Sequence, residues 1–214
     1  MSRPPPEFDA RFRSDFEALL RWRRDVRRFS TRPVEPRVLD TIIASMALAP
    51  SVGLSQPTRL VRVDDPARRA VVVRTFEREN DLAAREYAPD RAAHYASLKL
   101  AGLREAPVHL AVFADEDTVV GHGLGRRSMP ETLRYSSVTA IHTLWLSARA
   151  WNVGMGWVSI LDPVAVHHAL DVPDHWCFVA YLCLGYPLEE HEDPELERHG
   201  WEERRPQLGV PLQR

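Results

Sequence analysis

The run CFVAYLCLGYP, residues 177–187, is apolar at almost every position. A strand with one face in water alternates apolar and polar residues, so an unbroken run predicts a strand covered on both sides. GMGWVSIL (154–161) has the same character, and between the two lies a short helical pattern, VAVHHAL. A third apolar stretch runs from about Glu131 to Trp151, with Tyr135, Val138, Ile141, Leu144, Trp145 and Ala148 at helical spacing. It is read as the central buried helix.

Phe8, Phe12, Phe16, Leu19 and Leu20 recur at helical spacing after a proline-rich start. Pro36 opens a second helix, with Leu39, Ile42, Ile43 and Met46 on its apolar face, that runs to Ala49-Pro50. RLVRV (59–63) alternates like a half-exposed strand, 67–88 and 90–105 read as helices, and PVHLAVFAD (107–115) reads as a strand. The last thirty residues are polar and irregular. Strands from distant parts of the chain, mixed with many helices, predict an α+β fold. Residues 1–14 are assigned to a flexible N-terminal segment, 15–205 to a single domain and 206–214 to a C-terminal tail.

A chain of 214 residues with a formal net charge of -2 has room for one large core and no global attraction to nucleic acid or an anionic membrane. No apolar stretch is long enough to span a bilayer and the first residues lack the apolar core of a secretory signal, so a cytoplasmic location is expected. Cys177 and Cys183 lie too far apart along one extended strand to bridge, and are read as reduced core residues.

Several motifs carry no chemistry. GHGLG (121–125) lacks the third glycine of the dinucleotide fingerprint, Arg126 standing in its place, and is read as a flexible loop. His167, His168 and His175 have no partners at metal-ligand spacing, so no metal is expected. No P-loop or nucleophile elbow occurs. What remains is RRDVRRF (23–29), an aspartate among four arginines at the exit of the first helix. A basic run at a helix C-terminus is ordinarily just solvated. Guanidinium groups do bind phosphate bidentately, however, and the polar loop SVGLSQPT can offer hydroxyl and amide partners to a polyol or a planar ring.

RRDVRRF, APSVGLSQPTR, KLAGLREAPVHLAVFAD, GHGLGRRSMPETLRYSSVTAIHTLWLSARAWNVGMGWVSILDP and the PELE-to-WEER region together resemble the 5,6-dimethylbenzimidazole synthases, a branch of the nitroreductase-like flavoproteins. The resemblance spans about residues 15–205. One departure is Thr58, where the family usually carries tryptophan. The resemblance implies a nitroreductase-like fold, with a central mixed or antiparallel sheet flanked by helices, in an intertwined homodimer with two flavin sites at the interface. It implies that reduced flavin mononucleotide (FMN) is consumed with dioxygen to give 5,6-dimethylbenzimidazole, the lower ligand of vitamin B12, and erythrose 4-phosphate. The reduced flavin would be free or come from a separate NAD(P)H-dependent flavin reductase.

Carried over by residue, Arg23, Arg24 and Arg27 are expected to hold the phosphate and the carbonyl edge of the ring, with Val26 beside them and Arg28 less closely matched. Ser51, Ser55 and Gln56 are expected to meet the ribityl chain and pyrimidine side, and the backbone at Leu110 to make another flavin contact. Asp25 is the expected general base, kept ionised with a lowered pKa by its arginines. Its bland reading is a salt bridge to Arg24 or Arg28. Ser159, read as buried in a strand, is expected to bond the oxygenated flavin or its central ring nitrogen, and Gly121–Met129 to act as a lid. Three alternatives stay open: a nitroreductase or flavin reductase that keeps its FMN, a flavin carrier without chemistry, and a nucleic-acid binder, which lacks a basic balance and interleaved aromatics.

Overall fold

Residues 4–205 and 209–214 are described in a computed structural model; of the two terminal segments, 1–3 and 206–208 lie outside the described residues. The long apolar run is β4 (Trp176–Gly185), which pairs on one side with β2 (Val108–Asp115) and on the other with β3 (Gly154–Val158). β1 (Thr58–Arg62) completes a four-stranded sheet in the order β1-β2-β4-β3, antiparallel throughout. Every residue of β2 is buried, His109 and Asp115 included, as befits a strand in mid-sheet covered on both faces.

Helices cover both faces. On one, Leu39 and Ile42 of α2 (Pro36–Ala44) and Ile141 and Leu144 of α5 (Thr132–Ala150) pack on Leu110, Val112, Met155, Leu182 and Leu184. On the other, Val72 of α3 (Pro66–Arg85) and Val166 and Leu170 of α6 (Pro163–Leu170) pack on Ala111, Phe113, Tyr181 and Cys183. Each fully buried Leu or Ile contributes about 1.5–3 kcal/mol, so these two layers hold the sheet between them. Asp65 and Asp162 cap α3 and α6, each followed by a proline at the first helical position. Both cysteines are free, Cys183 fully buried and Cys177 half-buried.

The structure departs from the sequence reading in four elements. α2 ends at Ala44 and tightens into a 3-10 turn, Ser45–Leu48, before Pro50. The segment read as helix over 90–105 is only α4 (Pro89–Ser97), because Leu98 turns extended and Gly102 passes under the Phe29 ring, where a Cβ would lie 2.4 Å from it. The central helix α5 is buried on one face only: Leu133, Ser136, Ser137, Ala140, Ile141, Leu144 and Ala148 are buried, while Tyr135 and Val138 are exposed. Its apolar residues run round the helix, and one sheet can cover only one side. α1 (Ala10–Trp22) buries no residue at all, and the rings of Phe8, Phe12 and Phe16 stack along its exposed face at 4.5 and 6.4 Å.

Candidate functional site

RRDVRRF is not a solvated charge run. Beyond the cap of α1 at Arg23 the chain lies along the open edge of β3: Val26 N–H donates to the Met155 carbonyl at 3.0 Å, and Asp25 and Met155 form a parallel bridge. The next turn pairs with the far end of the molecule, Ser30 N–H donating to the Tyr186 carbonyl at 2.8 Å and Leu188 N–H to the Arg28 carbonyl at 3.1 Å. Phe29 is buried between the two pairings. The fit explains the glycines of GMG. A Cβ on Gly156 would stand 2.2 Å from the Val26 carbonyl oxygen, and one on Gly154 would stand 2.8 Å from the Val26 side chain.

Asp25 continues this edge with its side chain. Its Oδ1 accepts from the Trp157 N–H at 2.9 Å and its Oδ2 from Arg27 Nε at 2.8 Å, so the ion-pair partner is Arg27 rather than Arg24 or Arg28. The expected lowering of its pKa is reversed. Burial is the largest influence and pushes the carboxyl up, Glu195 adds to it, and Arg27 and the Trp157 amide only partly offset the rise. The sequence shows the arginines; it does not show the loss of water when the segment docks in its crevice.

The four arginines divide into two pairs. Arg27 is largely buried and already engaged, with Asp25 on Nε and the Lys99 carbonyl on Nη1 at 3.0 Å. Arg28 is tied to Glu189 and Glu195 at 3.0 and 2.6 Å. Arg23 and Arg24 make no ion pair among the described residues. Arg23 lies 4.5 Å over the Trp145 ring, and Arg24 donates to the carbonyls of Glu192 and Arg23. Burial and the Arg204 charge both work against the Arg23 and Arg24 cations, so an anion placed here would relieve two costs together. Trp22, Arg23–Arg28, Trp145, Met155 and residues from Pro187 to Arg198 line a crevice of about 50 Å³ here.

The loop 51–56 lies against a different cavity, about 380 Å³, walled by Met46, Pro50, Ser51, Gln56, Arg59, Ser136 and others. It shares no lining residue with the arginine crevice. Three hydroxyls on the buried helix hold its rim. Val52 N–H donates to Ser136 Oγ at 3.0 Å, Thr58 Oγ1 donates to Ser137 Oγ at 3.2 Å, and Thr139 Oγ1 donates to the Pro50 carbonyl at 3.0 Å. Arg59, paired with Asp115 at 2.6 Å, also donates to the Gln56 carbonyl. Ser51 Oγ accepts the Gln56 N–H, and Gln56 itself is exposed with φ 45°. Ser55 is buried, and its Oγ has no hydrogen-bond partner among the described residues. The loop 118–126 seals this rim: a Cβ on Gly53 would meet the Leu124 carbonyl at 2.5 Å, and one on Gly121 would meet the Gly53 carbonyl at 2.3 Å.

Leu110 is fully buried in mid-sheet, and Ser159 is exposed just past the end of β3, not buried within a strand; neither lines either cavity. The ladder of β3 with β4 stops at Val158, so the apolar SIL that follows is no longer strand. Sequence reasoning also missed Glu195, Gly156 and Ser136. The signals present were a Ser-Ser-x-Thr cluster on the central helix and two glycines flanking Met155 in a strand. Among the described residues no group of three or more His, Cys, Asp or Glu can hold a metal, and no described helix is long and apolar enough to cross a membrane.

Residues 20–186 match the nitroreductase family. The 5,6-dimethylbenzimidazole synthase of Rhodospirillum rubrum is 58% identical over 204 residues, covering 95% of this chain and 97% of that protein. That of Rhodobacter capsulatus is 49% identical over 199 residues, covering 93% and 96%. Among solved structures, oxidized iodotyrosine deiodinase bound to FMN and 3-iodo-L-tyrosine aligns with a TM-score of 0.69 at 22% identity, over 82% of this chain and 91% of that one, a likeness of fold. The chain belongs to the nitroreductase family and, within it, to the branch of the 5,6-dimethylbenzimidazole synthases.

Proposed function

We propose that this chain fragments reduced FMN in the presence of dioxygen, releasing 5,6-dimethylbenzimidazole and erythrose 4-phosphate. The observation that carries the reading is the arginine segment: two guanidiniums without ion pairs among the described residues, beside a carboxylate held at a fixed point on the sheet edge, in a chain 58% identical to a 5,6-dimethylbenzimidazole synthase. Bound reduced FMN and dioxygen supply the redox chemistry; the chain supplies binding, orientation and proton handling.

The residues present fit a phosphorylated flavin. Arg23 and Arg24 offer forks to the phosphate, while Arg27 and Arg28, engaged by carboxylates, hold the shape of the crevice. Ser55 carries a buried hydroxyl with no partner among the described residues, the kind of group a polar ligand satisfies. Asp25 takes the role of proton acceptor, with Trp157 N–H and Arg27 fixing its plane. Ser159, being exposed, is free to turn toward a ligand held above the end of β3.

The crevice of about 50 Å³ falls short of the roughly 300–1,000 Å³ that small-molecule sites occupy. The reading therefore includes a homodimer in which a second copy covers the phenylalanine face of α1 and the outer face of α5. The 51–56 loop of one subunit then completes the arginine crevice of the other, and 121–129 closes over it. The protein works in the cytoplasm on reduced FMN supplied free or by a separate NAD(P)H-dependent reductase. Aerobic incubation with chemically reduced FMN, followed by chromatography, tests it. Benzimidazole is expected only when dioxygen is present; reoxidised FMN with NAD(P)H turnover and no benzimidazole overturns the reading in favour of a nitroreductase.

A further inference from the structure

We propose that Glu195 is a positioning residue for Asp25: the two carboxylates share the Arg27 guanidinium, and the sharing leaves Asp25 able to accept a proton. This rests on the reading of Asp25 as the proton acceptor. Glu195 opens α7 (Glu195–Arg198), a single turn in the C-terminal segment that folds back over the arginine crevice. The segment is anchored at Trp201, whose ring lies 3.9 Å from the Arg91 guanidinium and whose carbonyl accepts from Arg91 at 2.9 Å.

A carboxylate that owns a guanidinium is a poor base, because the full counter-charge stabilises its ionised form. Asp25 does not own one. The guanidiniums that meet Asp25, Glu195 and Glu189 are Arg27 and Arg28: Arg27 Nε lies 2.8 Å from Asp25 and 4.0 Å from Glu195, while Arg28 Nη1 lies 2.6 Å from Glu195 and 3.0 Å from Glu189, whose other oxygen lies 3.6 Å from His191. Three carboxylates stand on two guanidiniums. Glu195 and Arg27 are both largely shielded, so their interaction is weakly screened.

The other groups around Asp25 do not reverse this. Arg23 on its own segment favours the ionised form by charge attraction, without an ion pair. From β3 comes the Trp157 N–H, and from β4 the Cys183 thiol, pushed up mainly by its burial. Lys99 contributes its carbonyl to Arg27, its ammonium being paired with Glu105 at 2.7 Å. On the far side of Glu195 stands His199, at 3.8 Å. Glu195 raises the proton affinity of Asp25, in the same direction as burial.

Glu195→Gln keeps the side-chain shape and a hydrogen bond to Arg28 but removes the charge. In the ligand-free protein, carboxyl-carbon NMR of labelled aspartate is expected to find the Asp25 midpoint at lower pH in Glu195→Gln than in wild type, with Glu195→Asp close to wild type. An unmoved midpoint in Glu195→Gln overturns the proposal, and so does a midpoint in Glu195→Asp that follows Glu195→Gln, since charge would then not be the agent. Should Glu195→Gln not fold, Arg28→Gln is the reciprocal variant: removing that cation must raise the Asp25 midpoint, and no change overturns the idea. The acid limb of benzimidazole formation against pH is expected to move with the midpoint in Glu195→Gln. If wild type makes no benzimidazole, the functional reading fails while the NMR titration still decides the role of Glu195.

Discussion

The arginine segment 23–29 and the loop 51–56 look alike in sequence, both short, polar and placed after a helix, yet they are built in opposite ways. The first is paired along its backbone to β3 and to 186–188, and its Asp25, Arg27 and Arg28 side chains already have ionic partners. The second carries its backbone in left-handed conformations at Gly53, Leu54 and Gln56, leaves Leu54 and Gln56 exposed, and buries a serine hydroxyl without a partner. Non-glycine residues held in that region cost about 1–3 kcal/mol each and persist only where the surroundings impose them. Here the hydroxyls of α5 and the backbone of 118–126 impose them. Charge is held by a paired frame, and the strained loop keeps a buried hydroxyl with no partner among the described residues.

The largest expected effect breaks or upholds the first half of that contrast. Asp25→Asn removes the basic oxygen and should cut benzimidazole formation at least a hundredfold, the usual scale for loss of a general acid or base, with FMN affinity changed by a factor of a few. The amide must also turn its NH2 toward either Trp157 N–H or Arg27 Nε, so some thermal stability is lost. If product falls only in proportion to the folded fraction, Asp25 is an edge cap of β3 and no more.

A smaller effect separates the two pairs of arginines. Arg23→Ala and Arg24→Ala should each weaken FMN binding by about 1.5–3 kcal/mol, the worth of a charge-assisted hydrogen bond, and leave riboflavin binding unchanged. Arg28→Ala, whose charge is spent on Glu189 and Glu195, should leave the FMN-to-riboflavin ratio as it was. Titration by flavin fluorescence reads all three; an equal loss in Arg28→Ala would mean that the carboxylates let go when phosphate enters.

The strands and the long helix were legible because burial on both faces leaves a local mark, an unbroken apolar run such as 177–187. Docking of 23–29 on β3 left none. Its pairing spans more than a hundred residues of chain, and arginine is no strand former, so the segment read as a helix exit. The raised pKa of Asp25 was hidden for the same reason: sequence counts neighbouring charges, while burial depends on what folds over them. Ser159 was misread because an apolar pattern continues past Val158, where the ladder of β3 with β4 stops. Glu195 carried a visible signal, the PELE motif, but its target lies at the opposite end of the chain.

The smallest predicted effect concerns Ser55 and sharpens the second half of the contrast. A buried hydroxyl without a partner costs about 1–3 kcal/mol of desolvation, so Ser55→Ala should leave the ligand-free protein as stable as wild type or slightly more so. If a flavin supplies the missing partner, the same change should weaken FMN binding by about 0.5–1.5 kcal/mol, the net worth of one neutral hydrogen bond. Stability and affinity then move in opposite directions, which loss of packing cannot produce because it lowers both. Denaturant unfolding with and without FMN measures the two quantities on one sample. A variant less stable without ligand would mean that the hydroxyl is already satisfied in solution and that the loop is scaffold. A variant with unchanged FMN affinity would remove Ser55 from the site and leave Ser51 and Gln56 as the contacts of that rim.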